Sequence, residues 1–101
     1  HPTYTIAAMR AGWNLRELAE EFPEVHRYTK VANNVPVLPA ISQELAAETF
    51  YHMSIPYNVD IVGQAQHGVC AMGKHPWDAF EHIERLEHIC QIALAAGHIA
   101  K

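Results

Sequence analysis

Two histidines carry most of the chemistry this sequence can offer. His67 lies in the run Gln64-Ala65-Gln66-His67-Gly68-Val69-Cys70-Ala71-Met72-Gly73, and His1 opens the run His1-Pro2-Thr3-Tyr4. A neutral imidazole projecting from a rigid strand into a dry pocket is a good zinc ligand. Gly68 beside it leaves room for another group to approach. Spacing alone favours a plainer reading of His67, a core histidine hydrogen-bonded to backbone. Cys70 lies three residues further on, so on a strand it points to the opposite face. It reads as a small buried filler and not as a co-ligand. His1 admits three readings. It is a frayed terminus, or a copper chelate through its free amine and ring, or an internal ligand exposed by truncation. The copper reading lacks a signal peptide, a disulfide framework and a third ligand.

Other polar groups offer less. Glu20, Glu24 and Tyr28, with Glu21 beside them, cluster around Pro23. Carboxylates and a phenol serve as acid or base when they reach a substrate; otherwise this is a solvated charge run. His82 and His88 stand among Glu81, Glu84 and Glu87. Neither has a Glu three residues before it, and no His-Glu-x-x-His occurs, so a solvated helix face is the expectation there. His26, His52, His75 and His98 read as surface residues. No dinucleotide or phosphate-binding glycine pattern is present, and no Gly-x-Ser-x-Gly elbow supports a serine nucleophile.

The chain that must position these groups has 101 residues, enough for one domain over 1–101. Half of it is apolar, too much for a disordered segment. The formal net charge of −4 is spread without a basic patch, which gives no footprint for nucleic acid or an anionic membrane. No apolar run reaches the ~18 residues of a membrane span. Cys70 and Cys90 do not make a disulfide framework, which fits a reducing cytoplasm. A start at His rather than Met predicts that something preceded it.

Local signals predict a helix over 4–10, and a second one from Leu15 to about Glu21, capped by Asn14 and ended by Pro23. Strands are predicted over 25–31 and 35–38, with Asn33-Asn34 as a turn. Ser42 caps a predicted helix to about Met53. Residues 61–72 read as one long strand, with His67 and Val69 on one face and Cys70 on the other. Pro76 opens the longest helix, to about Ala96, and Gly97 stops it. Its predicted buried stripe holds Trp77, Phe80, Ile83, Leu86 or Cys90, Ala93 and Leu94, with Glu81 and Arg85 paired on the wet side. Helices alternating with strands give an α/β layer arrangement.

These runs, taken in order, resemble the class II aldolase/adducin family. His1-Pro2-Thr3-Tyr4 before a short helix looks like the end of its His-x-His-Pro strand. Val37-Leu38-Pro39 and Ser42-Gln43-Glu44-Leu45-Ala46 look like its proline-ended strand and Glu-Leu-Ala helix. Gln66-His67-Gly68-Val69, then Met72-Gly73 and the helix from Pro76, are similar to its His-Gly-Val strand and following helix. His-Pro-Thr and Leu38-Pro39 lean toward the rhamnulose- or fuculose-1-phosphate aldolase branch.

The resemblance covers most of this chain but only the C-terminal half of the family domain. It implies a three-layer α/β/α fold with a mostly antiparallel central sheet, a homotetramer with sites between subunits, and Zn2+ or another divalent ion held by three histidines. His1 matches the second of these and His67 the third; the first falls two positions before His1. The family's catalytic glutamate and phosphate-binding loops also fall upstream. Glu20, Glu24 and Tyr28 lie where a neighbouring subunit's acid–base group is expected. The implied activity is carbon–carbon cleavage of a phosphorylated ketose through a metal-stabilised enediolate. The alternatives are a non-catalytic adducin-like oligomerisation module, or a family dehydratase or epimerase. The missing half of the site would come from residues outside this chain, one source being a separate polypeptide.

Overall fold

The computed structural model describes residues 2–36, 42–54 and 59–97, residue 54 by its backbone alone. In chain order the elements are α1 (Thr3–Arg10), α2 (Leu15–Glu20), α3 (Pro23–Tyr28), α4 (Gln43–Ser54), β1 (Ile61–Gln64), β2 (Gly68–Ala71) and α5 (Pro76–Ala95). Helices thus accompany a small antiparallel sheet of two strands, an α/β arrangement.

Local chemistry sets most of these boundaries. Asn14 Oδ1 accepts the amides of Arg16 and Glu17 and starts α2. Ser42 Oγ accepts the amide of Leu45 at the start of α4. Pro76 occupies the first turn of α5, where its missing N–H costs nothing, and the Asp78 carboxylate accepts the amide of His75 just outside it. Gly97, at φ +72°, turns the chain out of that helix.

Three expectations are corrected. Residues 25–31 are not a strand: Pro23 opens a helix there instead of merely ending the one before it. The segment after α3 reaches the sheet only through isolated parallel bridges, Val31 with Ile61 and Val35 with Gln64. Residues 61–72 are not one strand but a hairpin, with Ile61 opposite Ala71 and Gln64 opposite Gly68. The third concerns α5, whose buried stripe is Leu86, Ile89, Cys90 and Ala93. Trp77 and Phe80 are exposed, at 72% and 49%, and meet edge-to-face. The rest of the strand predicted over 35–38, and the Val37-Leu38-Pro39 motif, lie outside the described residues.

Burial explains the layering. Ile61, with Val69 and Ala71 alongside, packs against Ala8, Met9, Leu15, Leu18, Leu86 and Ile89, so α1, α2 and α5 cover one face of the hairpin. Val62 and Cys70 on the other face pack with Ala32, Val35, Leu45 and Met53, which brings α4 over that side. Asn34 ties the two sides together. Its Oδ1 accepts the Leu15 amide at 3.0 Å and its Nδ2 donates to the Trp13 carbonyl at 2.8 Å. No described helix is long and apolar enough to cross a membrane.

Candidate functional site at the hairpin turn

His67 sits in the turn between β1 and β2, not on a strand face, and its amide donates to the Gln64 carbonyl at 2.8 Å. The turn holds Gln66 at φ +67°, in the left-handed region that a residue with a Cβ enters at a cost. Gly68 follows at φ +147°. The half-buried His67 lines a cleft of about 480 Å³ together with Pro2, Thr3, Gln64, Gly68, Val69, Phe80, Ile83, Glu84 and Glu87. The start of α1, the hairpin turn and one flank of α5 therefore border this cleft.

Glu87 is the cleft's most engaged polar group. Its Oε1 accepts the Thr5 amide and the Thr5 hydroxyl, both at 2.8 Å, and its Oε2 accepts the Tyr4 amide at 3.0 Å. These amides belong to the first turn of α1, which has no helical partner for them and carries the positive end of the helix dipole. Beneath this cap lies Cys90, fully buried. Burial pushes its thiol up to about 12; a hydrogen bond with Thr5 pulls the other way, and the Glu87 charge adds to the rise.

The donor chemistry along this wall, one imidazole and two carboxylates, suits a divalent ion. It does not close into a cradle: among the described residues no group of three or more His, Cys, Asp or Glu side chains is placed to hold a metal. His1 lies outside the described residues.

The expected acid–base residues stand elsewhere. Glu20 is exposed at the end of α2 and pairs with Arg16 at 3.7 Å. Glu24 is exposed in the first turn of α3. Tyr28, 57% exposed, lies under the Arg85 guanidinium, 5.6 Å from its ring centre. Tyr28 lines a second cleft, of about 360 Å³, with Asp60, Lys74, Asp78, Glu81, His82 and Arg85. The two clefts use opposite flanks of α5, residues 80, 83, 84 and 87 on one side and 78, 81, 82 and 85 on the other. Within one chain, then, no described cleft brings Glu20, Glu24 or Tyr28 to His67.

The second cleft holds a residue that sequence reasoning missed. His82, expected on a solvated face, is half-buried with Nδ1 2.8 Å from the Thr29 hydroxyl, and Nε2 lies 3.6 Å from Asp60 Oδ1. Arg85 donates to the same hydroxyl at 3.2 Å. The Thr29 hydroxyl thus joins His82 to Arg85, while Nε2 of the same ring faces Asp60. Thr29 is 53 positions away along the chain, so no local pattern could reveal the contact. His52, read as surface, is half-buried, with Nδ1 2.8 Å from the Glu48 carbonyl.

A comparison with protein families decides the lineage. The family model of the class II aldolase and adducin N-terminal domain matches residues 1–94. The chain belongs to this family. The match spans every described element up to the last turn of α5, so the class II aldolase/adducin assignment includes both clefts. No curated protein matches the chain, and no solved structure does.

Proposed function

We propose that this class II aldolase/adducin domain is a divalent-metal-dependent lyase of the aldolase type, cleaving a carbon–carbon bond of a phosphorylated ketose. The rhamnulose- or fuculose-1-phosphate branch is the finer assignment, and a three-layer sheet larger than the hairpin is the architecture it requires. One observation carries the reading: His67 lines a cleft beside the carboxylates of Glu84 and Glu87. His1, outside the described residues, is the second ligand proposed, on its match to the family's motif. When bound there, zinc or a similar ion would polarise substrate oxygens.

Around that site the chain's own groups have distinct tasks. The hairpin turn fixes the imidazole, Phe80 and Ile83 supply an apolar wall, and Glu84 and Glu87 an acidic one. Two imidazoles fall short of the usual three protein ligands. A further donor comes from outside the pair, and the acid–base groups Glu20, Glu24 or Tyr28 serve a neighbouring subunit's site. Their separation from His67 within one chain supports that division. Two free thiols suit residence in the cytoplasm.

Metal content tests this. After zinc loading and gel filtration, elemental analysis should find about one ion per chain, lost in His67→Ala. No retained ion in the parent chain would reject the lyase. It would favour the second reading, an adducin-like oligomerisation module. Assays with sugar 1-phosphates separate cleavage from dehydration and epimerisation, which the same cradle could serve.

A further inference from the structure

We propose that Gln66 is a positioning residue for His67: its left-handed backbone fixes the direction in which the imidazole leaves the hairpin turn. The proposal rests on the role given above to His67. The His67 amide donates to the Gln64 carbonyl at 2.8 Å, which closes a four-residue turn with Gln66 third, at φ +67°. Positive φ at the third position calls for glycine or asparagine. Glutamine occupies it here and is exposed, so packing does not hold it there. A residue with a Cβ has one small well in the left-handed region, whereas glycine ranges widely. Gln66 therefore leaves the start of residue 67 little freedom. Strain kept at one residue beside a candidate ligand marks a functional constraint.

The remainder of the turn is fastened, so this one residue sets the direction. On the entry side, Gln64 Nε2 donates to the Thr49 hydroxyl at 2.9 Å. That hydroxyl donates to the Leu45 carbonyl at 2.7 Å, which ties the end of β1 to α4. The Ala65 amide donates to the Val35 carbonyl at 3.1 Å. On the exit side, Gly68 pairs with Gln64 and runs at φ +147°. A Cβ added there would meet no heavy atom within 4 Å, so glycine serves the backbone and not a close approach. His67 thus stands between two positions of positive φ. Every one of these contacts is internal to the described residues.

Opposite signs give the test. Gln66→Gly should raise the urea midpoint and yet weaken zinc binding, followed by calorimetric titration of the metal-free chain with His67→Ala as control. The freedom glycine adds, frozen when zinc binds, corresponds to a rise of roughly two- to fivefold in the dissociation constant. Gln66→Asn tolerates the left-handed region with its Cβ in place. It should raise the midpoint and leave the constant unchanged. A merely structural role would move stability and affinity together. Backbone NMR relaxation of the metal-free chain adds a readout that needs no zinc: the order parameter of the His67 amide should fall in Gln66→Gly and hold in Gln66→Asn. With the parent binding zinc through His67, an equal affinity or an equal order parameter in Gln66→Gly would overturn the proposal and leave the cleft's reading standing. So would a loss of stability alongside affinity. A parent that binds no zinc through His67 would reject that reading and this proposal with it.

Discussion

Asn34 shows how much one side chain can hold. Its amide group satisfies a backbone donor and a backbone acceptor on either side of Asn14, and the buried Leu15 and Trp13 depend on that geometry. Asn34→Ala strands both groups, each at about 1–3 kcal/mol when left without a partner. Urea denaturation should show a loss of at least about 2 kcal/mol. Gln66 works in the other direction. Its left-handed backbone costs roughly 1–2 kcal/mol, whereas glycine costs about 0.5–1 kcal/mol through chain entropy. Gln66→Gly should therefore stabilise the chain by up to about 1 kcal/mol in the same assay. Cys90 gives a pH signature. Its folded thiol is pushed up to about 12 from an ordinary value of 9.0, so below pH 9 neither folded nor unfolded chain ionises it. As pH rises from 9 toward 12 the unfolded chain alone loses the proton, and stability should fall across that window. Cys90→Ala should flatten the fall in a pH series of urea midpoints.

At the scale of elements, Gly73 decides how α5 begins. A Cβ placed there would lie 2.5 Å from the Asp78 Cβ and 2.8 Å from the Ala79 amide nitrogen, atoms fixed in the first turn of the helix. Gly73→Ala should cost about 1–3 kcal/mol through overpacking, read as a lower thermal midpoint. The ends of α5 were legible because Pro76 and Gly97 act locally. The hairpin was not. Ala65-Gln66-His67 lacks the Asn-Gly or Asp-Gly pair that usually signals such a turn, and the left-handed position falls on glutamine. The alternating run after Pro23 suggested a strand over 25–31. A proline at the first helical position and the Phe22 carbonyl accepting the His26 amide produce a helix instead. Trp77 and Phe80 were placed on a buried stripe by periodicity alone. Periodicity orients a helix against whatever is nearest, and the core is packed by the turns from Ile83 onward.

Across the whole molecule, the family was readable from short motifs, because such motifs preserve local chemistry. The division of polar groups between two clefts was not. It follows from which flank of α5 meets α1 and which meets the Tyr28 end of α3, contacts separated by more than 50 positions in the chain. Glu87 is the chief polar link in the first of these. Glu87→Ala leaves two backbone amides and a hydroxyl without their acceptor, and it should lower stability by about 2–3 kcal/mol. Hydrogen exchange should localise the loss to the amides of α1.

The same carboxylate gives the cleft a mechanical side. Its two oxygens fasten the amino-terminal helix, and the residue also lines the cleft that His67 borders. Were the proposed cation to recruit either oxygen, it would loosen that fastening, so filling the cleft and anchoring α1 would compete for one functional group. Protection of the α1 amides would then report occupancy.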